Sequence, residues 1–257
     1  MPKTNVPALK EPNSKPKKKH GRKIRIILLL LFLSILSVLF FRSSFSKISV
    51  ITFHGNTYST DQQLLDVTGL KVGSPYFALS ADNIRQRLEA VPSVEHAIVN
   101  KTFPGNVDIK IEEYPLAAFE LKEDGKMTGL LANGTEIPLH NESLQVDKPI
   151  LTGWKAKDPN LAKLCATLSQ IPDTLTADIS EIVPSPSLSY PDRIKMYTRS
   201  RFEITSAISL LAKKAEYMNE ILDSQDPGKL TMLDADSYVP YNPPKADDSE
   251  QNDTTHE

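Results

Sequence analysis

Cysteine is almost missing from this chain: Cys165 is the only one in 257 residues, so no disulfide can form within it. Exported eukaryotic domains of this size usually rely on disulfides, and a disulfide-free ectodomain points to a bacterial surface. A nucleophilic role for Cys165 needs an accessible thiolate of lowered pKa. Its setting, NLAKLCATLSQI, instead puts it on the apolar side of a helical pattern, as buried filler. Catalytic signatures are missing too. There is no G-x-S-x-G, H-E-x-x-H, P-loop or G-x-G-x-x-G. His20, His54, His96, His140 and His256 are scattered, and none has a second ligand at a metal-type spacing. The D-x-D pair Asp234 and Asp236 reads as a turn rather than an ion site. Glu112-Glu113 reads as a solvated strand end. No catalytic residue, cofactor or metal is therefore expected, and no small-molecule substrate.

What the chain does have is one long uncharged run. Ile26 to Phe41 carries no charge and is interrupted only by Ser34 and Ser37. Taken from Ile24, with the Arg25 stem able to snorkel, it just reaches the length that spans a bilayer core. Signal-peptide apolar regions are shorter and end in small residues, whereas this one ends Leu39-Phe40-Phe41-Arg42. An uncleaved anchor over residues 24–42 is expected; the competing reading is a signal peptide cut at the small residues Ser44 and Ser46. Residues 1–25 carry nine Lys and Arg against one acid, Glu11, and basic flanks stay in the cytoplasm. The chain beyond Phe41, with 21 basic and 31 acidic residues, is expected outside. Topology and anionic lipid explain a basic tail over 1–23 better than nucleic acid does.

The exported part reads first as β-α-α-β-β over residues 45–115. KISVITFHGN alternates and ends at a Gly-Asn turn. Ser59 and Gln62 stand in capping-box spacing before Leu64, Leu65 and Thr68, and Gly69 suits a helix stop. Ser80 caps a second helix striped by Ile84, Leu88 and Val91 and closed by Pro92. Ala97, Val99 and Lys101 alternate up to the turn Phe103-Pro104-Gly105-Asn106, and Val107, Ile109 and Ile111 alternate after it, giving a hairpin with one buried face. Helices on one side of a small sheet make an α+β layer. Residues 116–242 are β-rich. They hold a hairpin through Glu123-Asp124-Gly125-Lys126, a turn at Ala132-Asn133-Gly134, the short strand PILTG, a helix ended by Pro172 and strand-like alternation in DRIKMYTRSRFEITSA. A second helix follows, with Ile208, Leu211, Ala215, Met218 and Leu222 on one side, and then one last strand in KLTMLDADSYVPYN. Past Pro243-Pro244, residues 243–257 are polar and acidic, a composition that stays disordered.

The strand with F-x-G-N, the two helices and then V-P-S-V-x-x-A-x-V-x-K-x-F-P-x-x-V-x-I-x-I-x-E-x-P-x-A resemble a POTRA domain. The stretch Pro104 to Ala117 is similar to the membrane-proximal POTRA domain of the FtsQ/DivIB family of bacterial division proteins, and the disulfide-free ectodomain suggests its Gram-positive DivIB branch. The likeness is strong over residues 20–140 and weaker beyond. It implies a single-pass membrane protein at the division septum, a β domain after POTRA, and a non-catalytic scaffold for small bitopic division proteins of FtsL and DivIC or FtsB type.

Two edges could hold such partners by strand addition: the POTRA sheet edge and the terminal stretch 230–241. The latter is expected as one exposed edge strand, with Leu233, Tyr238, Val239 and Tyr241 as partner-binding side chains. By themselves these four fit an ordinary buried final strand equally well. It is the resemblance that implies contact with a partner there. Two other functions compete: a membrane-anchored sensor or regulator, and a cell-wall-modifying enzyme with an unfamiliar site. The proline-containing tail, without helical periodicity, offers the sensor no folded output domain.

Overall fold

A computed structural model describes residues 20–139, 147–155 and 158–242. Most of the basic tail, the acidic tail over 243–257, His140 and His256 lie outside the described residues. Helix α1 (His20–Arg42) is apolar all round from Ile26 to Phe41 and exposed throughout that run. It is long and apolar enough, over Lys23–Arg42, to cross a membrane.

A short 3₁₀ turn, Ser44–Ser46, leads directly into the first domain. That domain comprises β1 (Val50–His54), α2 (Asp61–Thr68), α3 (Ala81–Glu89), β2 (Val94–Thr102) and β3 (Asn106–Glu113), the order expected from the sequence. Strand β3 is central, parallel to β1 and antiparallel to β2. Its Val107, Ile109 and Ile111 are buried while Asp108, Lys110 and Glu112 are exposed, the period of two that a one-sided sheet imposes. Leu64 from α2 and Ile84 and Leu88 from α3 complete this core.

Two local details differ from the sequence reading. The capping box of α2 is Thr60 with Gln63, one residue later than the Ser59 and Gln62 spacing. Ser59 is instead buried, its hydroxyl 2.7 Å from that of Ser93. Glu113 is also more than a solvated strand end. Its carboxylate accepts the backbone N–H groups of Thr57, Tyr58 and Ser59 at 2.6, 2.7 and 2.9 Å, tying the loop after β1 to the end of β3. Charge-assisted bonds of this kind are short and strong. Glu112 does behave as expected, exposed and paired with Lys110 at 2.7 Å.

The second domain is a nine-stranded sheet covered by helices α4 (Pro159–Gln170) and α6 (Ile208–Ser224), with the short α5 (Asp173–Thr176) between α4 and the next strand. Its strands are β4 (Leu116–Leu121), β5 (Met127–Leu131), β6 (Glu136–Pro138), β7 (Ile150–Leu151), β8 (Ile179–Pro184), β9 (Arg193–Thr198), β10 (Glu203–Ala207), β11 (Gly228–Met232) and β12 (Asp236–Pro240). They lie in the order β12-β11-β10-β9-β8-β7-β4-β5-β6. Helix α4 bridges the parallel pair β7–β8 and α6 the parallel pair β10–β11, because parallel neighbours need a crossover. Cys165, Leu164, Leu211 and Met218 from these helices meet Ala118, Leu151, Ile182, Met196 and Ile204 from the sheet in one core.

Cys165 is fully buried, and burial with the nearby Glu120 carboxylate pushes its thiol up to about 12. Pro172 ends α4 as expected, since the residue before a proline is forced out of the helical region and Ile171 is extended. Strand β8 and helix α5 carry no clear signal in the sequence. The alternation over Arg193–Ala207 is two strands, folded back at Arg199-Ser200-Arg201. The two domains touch where Asn133 Nδ2 and Thr135 Oγ1 donate to the Pro92 carbonyl at 2.9 and 3.2 Å.

Candidate partner-binding edge

The terminal stretch is not one strand. It is the hairpin β11–β12, broken at the bend Leu233-Asp234-Ala235, where the pair Asp234 and Asp236 carries the turn signal in the sequence. Strand β11 is internal, between β10 and β12, so of these two strands β12 alone is an edge. Gly228 lets the two strands close: a Cβ there would stand 2.4 Å from the Val239 carbonyl oxygen and 2.8 Å from the Pro240 Cα.

Tyr241 donates its N–H to the Pro227 carbonyl at 3.1 Å, which fixes the hydrogen-bonding parity of the ladder. Hydrogen-bonded pairs alternate along antiparallel strands. Val239 and Ser237 therefore face β11, with Val239 opposite Lys229. Asp236, Tyr238 and Pro240 turn their backbone groups outward, where no strand lies among the described residues. Pro240 has no N–H to offer. The open edge thus presents the donors of Asp236 and Tyr238 and the carbonyls of all three.

The bend before β12 is clamped. Lys214 Nζ, on α6, donates to the Leu233 carbonyl and to Asp236 Oδ1, both at 2.5 Å. The Tyr190 hydroxyl donates to Asp234 Oδ2 at 2.6 Å, and that bond raises the Tyr190 phenol pKa. The aspartates of the D-x-D pair are thus committed to holding a turn.

The four expected site residues separate into different environments. Leu233 is half-buried in the bend. Tyr238 turns its ring into its own domain, 6.3 Å from Phe202, and its hydroxyl donates to the Asp226 carbonyl at 2.5 Å. Desolvation, then the Asp226 charge, pushes its phenol upward. Only its backbone is free for a partner. Val239 and Tyr241 alternate to the opposite face and are 59% and 47% exposed. Beside them the face is charged: Glu203 lies 2.8 Å from Lys195 Nζ and 3.8 Å from Lys229 Nζ. The hydrogen bond to Lys195 lowers the Glu203 carboxyl and raises the Lys195 amine. An open cleft of roughly 400 Å³ lined by Arg201, Asp226, Pro227, Tyr241 and Asn242 adjoins the end of β12. The site so assembled offers backbone pairing, two exposed apolar side chains and a mixed-charge face. Among the described residues no group of three or more His, Cys, Asp or Glu could hold a metal ion.

Comparison with known proteins places residues 46–114 in the family described as POTRA domain, FtsQ-type. A Cell division protein DivIB from Paenibacillus polymyxa (strain E681) is 49% identical over 255 residues, covering 99% of this chain and 100% of the relative. A Cell division protein DivIB from Bacillus anthracis is 32% identical over 230 residues, covering 89% of this chain and 86% of the relative. The solved major extracytoplasmic domain of the trans isomer of DivIB from Geobacillus stearothermophilus matches with 24% identity and a TM-score of 0.38, over 43% of this chain and 94% of that one.

Proposed function

The chain belongs to the DivIB family of cell division proteins, and from that premise we propose that it is a non-catalytic scaffold of the division septum that holds small bitopic partners of FtsL and DivIC or FtsB type outside the membrane. Its anchor is α1, with the N-terminus cytoplasmic because nine basic residues precede the uncharged run against one acid. The observation that carries the reading is the β12 edge. A strand added there gains backbone bonds from Asp236 and Tyr238, and the exposed Val239 and Tyr241 select among side chains. The clamp on the bend keeps this edge ordered before a partner arrives, which reduces the ordering cost of binding.

The test is capture of FtsL- and DivIC-type proteins from wall-stripped membranes by the tagged full-length chain. Capture by the parent and its loss in Val239→Asp with Tyr241→Ala, at unchanged melting temperature, supports the edge. Undiminished capture by that folded double variant moves the partner site elsewhere. Protease added to intact wall-stripped cells should leave a small membrane-bound stub, and a fluorescent fusion should form a mid-cell ring. A full-length protected chain or a uniform membrane signal contradicts the topology or the septal assignment respectively.

A further inference from the structure

The end of α1 meets two loops of the first domain in a cluster of aromatic rings. Phe40 lies 6.4 Å from Phe77 and 6.5 Å from Phe103, and Phe41 lies 6.4 Å from Phe77. Phe77 and Phe103 stack at 6.5 Å, with Tyr76 behind them at 5.1 and 6.1 Å. Tyr76 is buried in the core of the first domain, whereas the phenylalanine rings in front of it are exposed. Phe77 is 57% exposed and Phe103 52% exposed. Exposed apolar clusters of this kind mark contact surfaces.

The depth of the cluster follows from the length of α1. The sixteen-residue run Ile26–Phe41 extends about 24 Å at 1.5 Å per residue, against a hydrocarbon core of about 30 Å. A span this short keeps Phe40 and Phe41 at the hydrocarbon boundary, and rings in contact with them share that level. The junction contains no free linker. Ser43 N–H donates to Leu39 O at 3.1 Å, Ser46 Oγ donates to Phe41 O at 2.8 Å, and Tyr76 N–H donates to Ser46 O at 2.8 Å. Lys101 Nζ fixes the Phe77 loop by donating to Tyr76 O at 2.5 Å and Leu79 O at 2.6 Å.

Charge agrees with this placement. Segments 42–49, 71–79 and 100–106 hold Arg42, Lys47, Lys71 and Lys101 and no Asp or Glu, although the chain beyond Phe41 has ten more acids than bases. A basic, aromatic tip on an exported region that is acidic as a whole suits an anionic lipid surface.

We propose that Phe77 and Phe103 insert into the headgroup–acyl boundary of the bilayer that α1 crosses, so that the first domain is seated on the membrane rather than tethered above it. This rests on the reading of α1 as the anchor. The fixed seat sets the height and direction from which the second domain presents its β12 edge.

The experiment uses the full-length chain in nanodiscs of phosphatidylcholine and phosphatidylglycerol. Nitroxide labels are placed at Phe77→Cys, Phe103→Cys and Phe45→Cys, with Leu31→Cys and Val239→Cys as references inside the span and on the far edge. Cys165 is buried and its thiol pushed up to about 12, so it stays unlabelled. The proposal expects the ratio of oxygen to nickel-chelate accessibility at 77 and 103 to be several-fold above that at 239 and to approach that at 31. Position 45, on the turn after α1 and 60% exposed, reads the same boundary should either loop variant melt early. Aqueous behaviour at 45, 77 and 103, with 31 still in lipid, overturns the seat and leaves the anchor intact. Aqueous behaviour at 31 as well overturns the anchor and the seat together. Labels closed to both reagents mean that protein covers the rings, and lipid is then not the occupant.

Discussion

Tyr241 donates its backbone N–H to the carbonyl of Pro227 at 3.1 Å, and this bond sets which residues of the outermost strand look inward. It turns the Val239 N–H toward Lys229 and leaves the Tyr238 N–H outside. Val239→Pro should therefore damage the ladder itself. One bond is lost and the Lys229 carbonyl is left without its donor, at about 1–3 kcal/mol. The melting temperature of the β domain should fall, whereas Val239→Asp should leave it within the range of surface changes, about 0.5 kcal/mol. Thermal melts of both variants check this, and equal melts would reverse the parity.

Glu113 should matter far more to stability than its place in a Glu-Glu pair at a strand end suggests. Glu113→Ala removes an acceptor from three backbone donors at 2.6–2.9 Å. Bonds to charged groups contribute about 1.5–3 kcal/mol each, less than additively, so a loss of about 3–5 kcal/mol is expected. Glu112→Ala, which breaks only an exposed pair with Lys110, should cost under about 1 kcal/mol. Urea unfolding of the two variants compares them, and equal midpoints would sink the assignment.

Leu88 is fully buried between α3 and the small sheet. Leu88→Ala should cost about 2–5 kcal/mol through lost burial and the cavity left behind. A change below about 0.5 kcal/mol in chemical denaturation, the range of surface sites, would contradict the packing.

Glu120 supplies the pH dependence. It is 7% exposed, its Oε2 has no partner among the described residues, and the hydroxyl of Thr128, its cross-strand neighbour, has none either. Burial first, and Glu136 second, raises its carboxyl above the ordinary value of 4.5. The folded state therefore holds this proton more tightly than the unfolded state. Stability from this site is present in full below the unfolded value and is lost as pH rises through the folded one. Glu120→Gln should flatten that decline and melt higher than the parent at pH 8, with the difference shrinking toward pH 4. A parent advantage at pH 8 would mean that the carboxylate is paired.

Much of the fold was legible because local rules specify it. The uncharged run of α1, the Ser80 cap, the Ile84–Leu88 stripe, the period-two alternation of Val107, Ile109 and Ile111 and the helix over Ile208–Ser224 each depend on residues a few positions apart. Where the reading slipped, a competing local signal was close by. Thr60 with Gln63 displaced Ser59 with Gln62, and the bend at Leu233-Asp234-Ala235 split one expected strand into two.

The sequence by itself determined the long uncharged run of α1, the order of elements in the first domain, the buried state of Cys165 and the lack of a recognised catalytic motif, since each is written in composition or short periodicity. Tertiary structure decided the candidate site. That β11 is internal and β12 the edge depends on the α6 crossover placing β11 parallel to β10. That Tyr238 is an inward ring with an outward N–H depends on register, which one residue of slip would invert. The three donors on Glu113 and the meeting of Phe40 with Phe77 and Phe103 join residues 37 to 63 positions apart. Chain closure over such distances is specified by the sum of many weak contacts, so no short window of sequence records it.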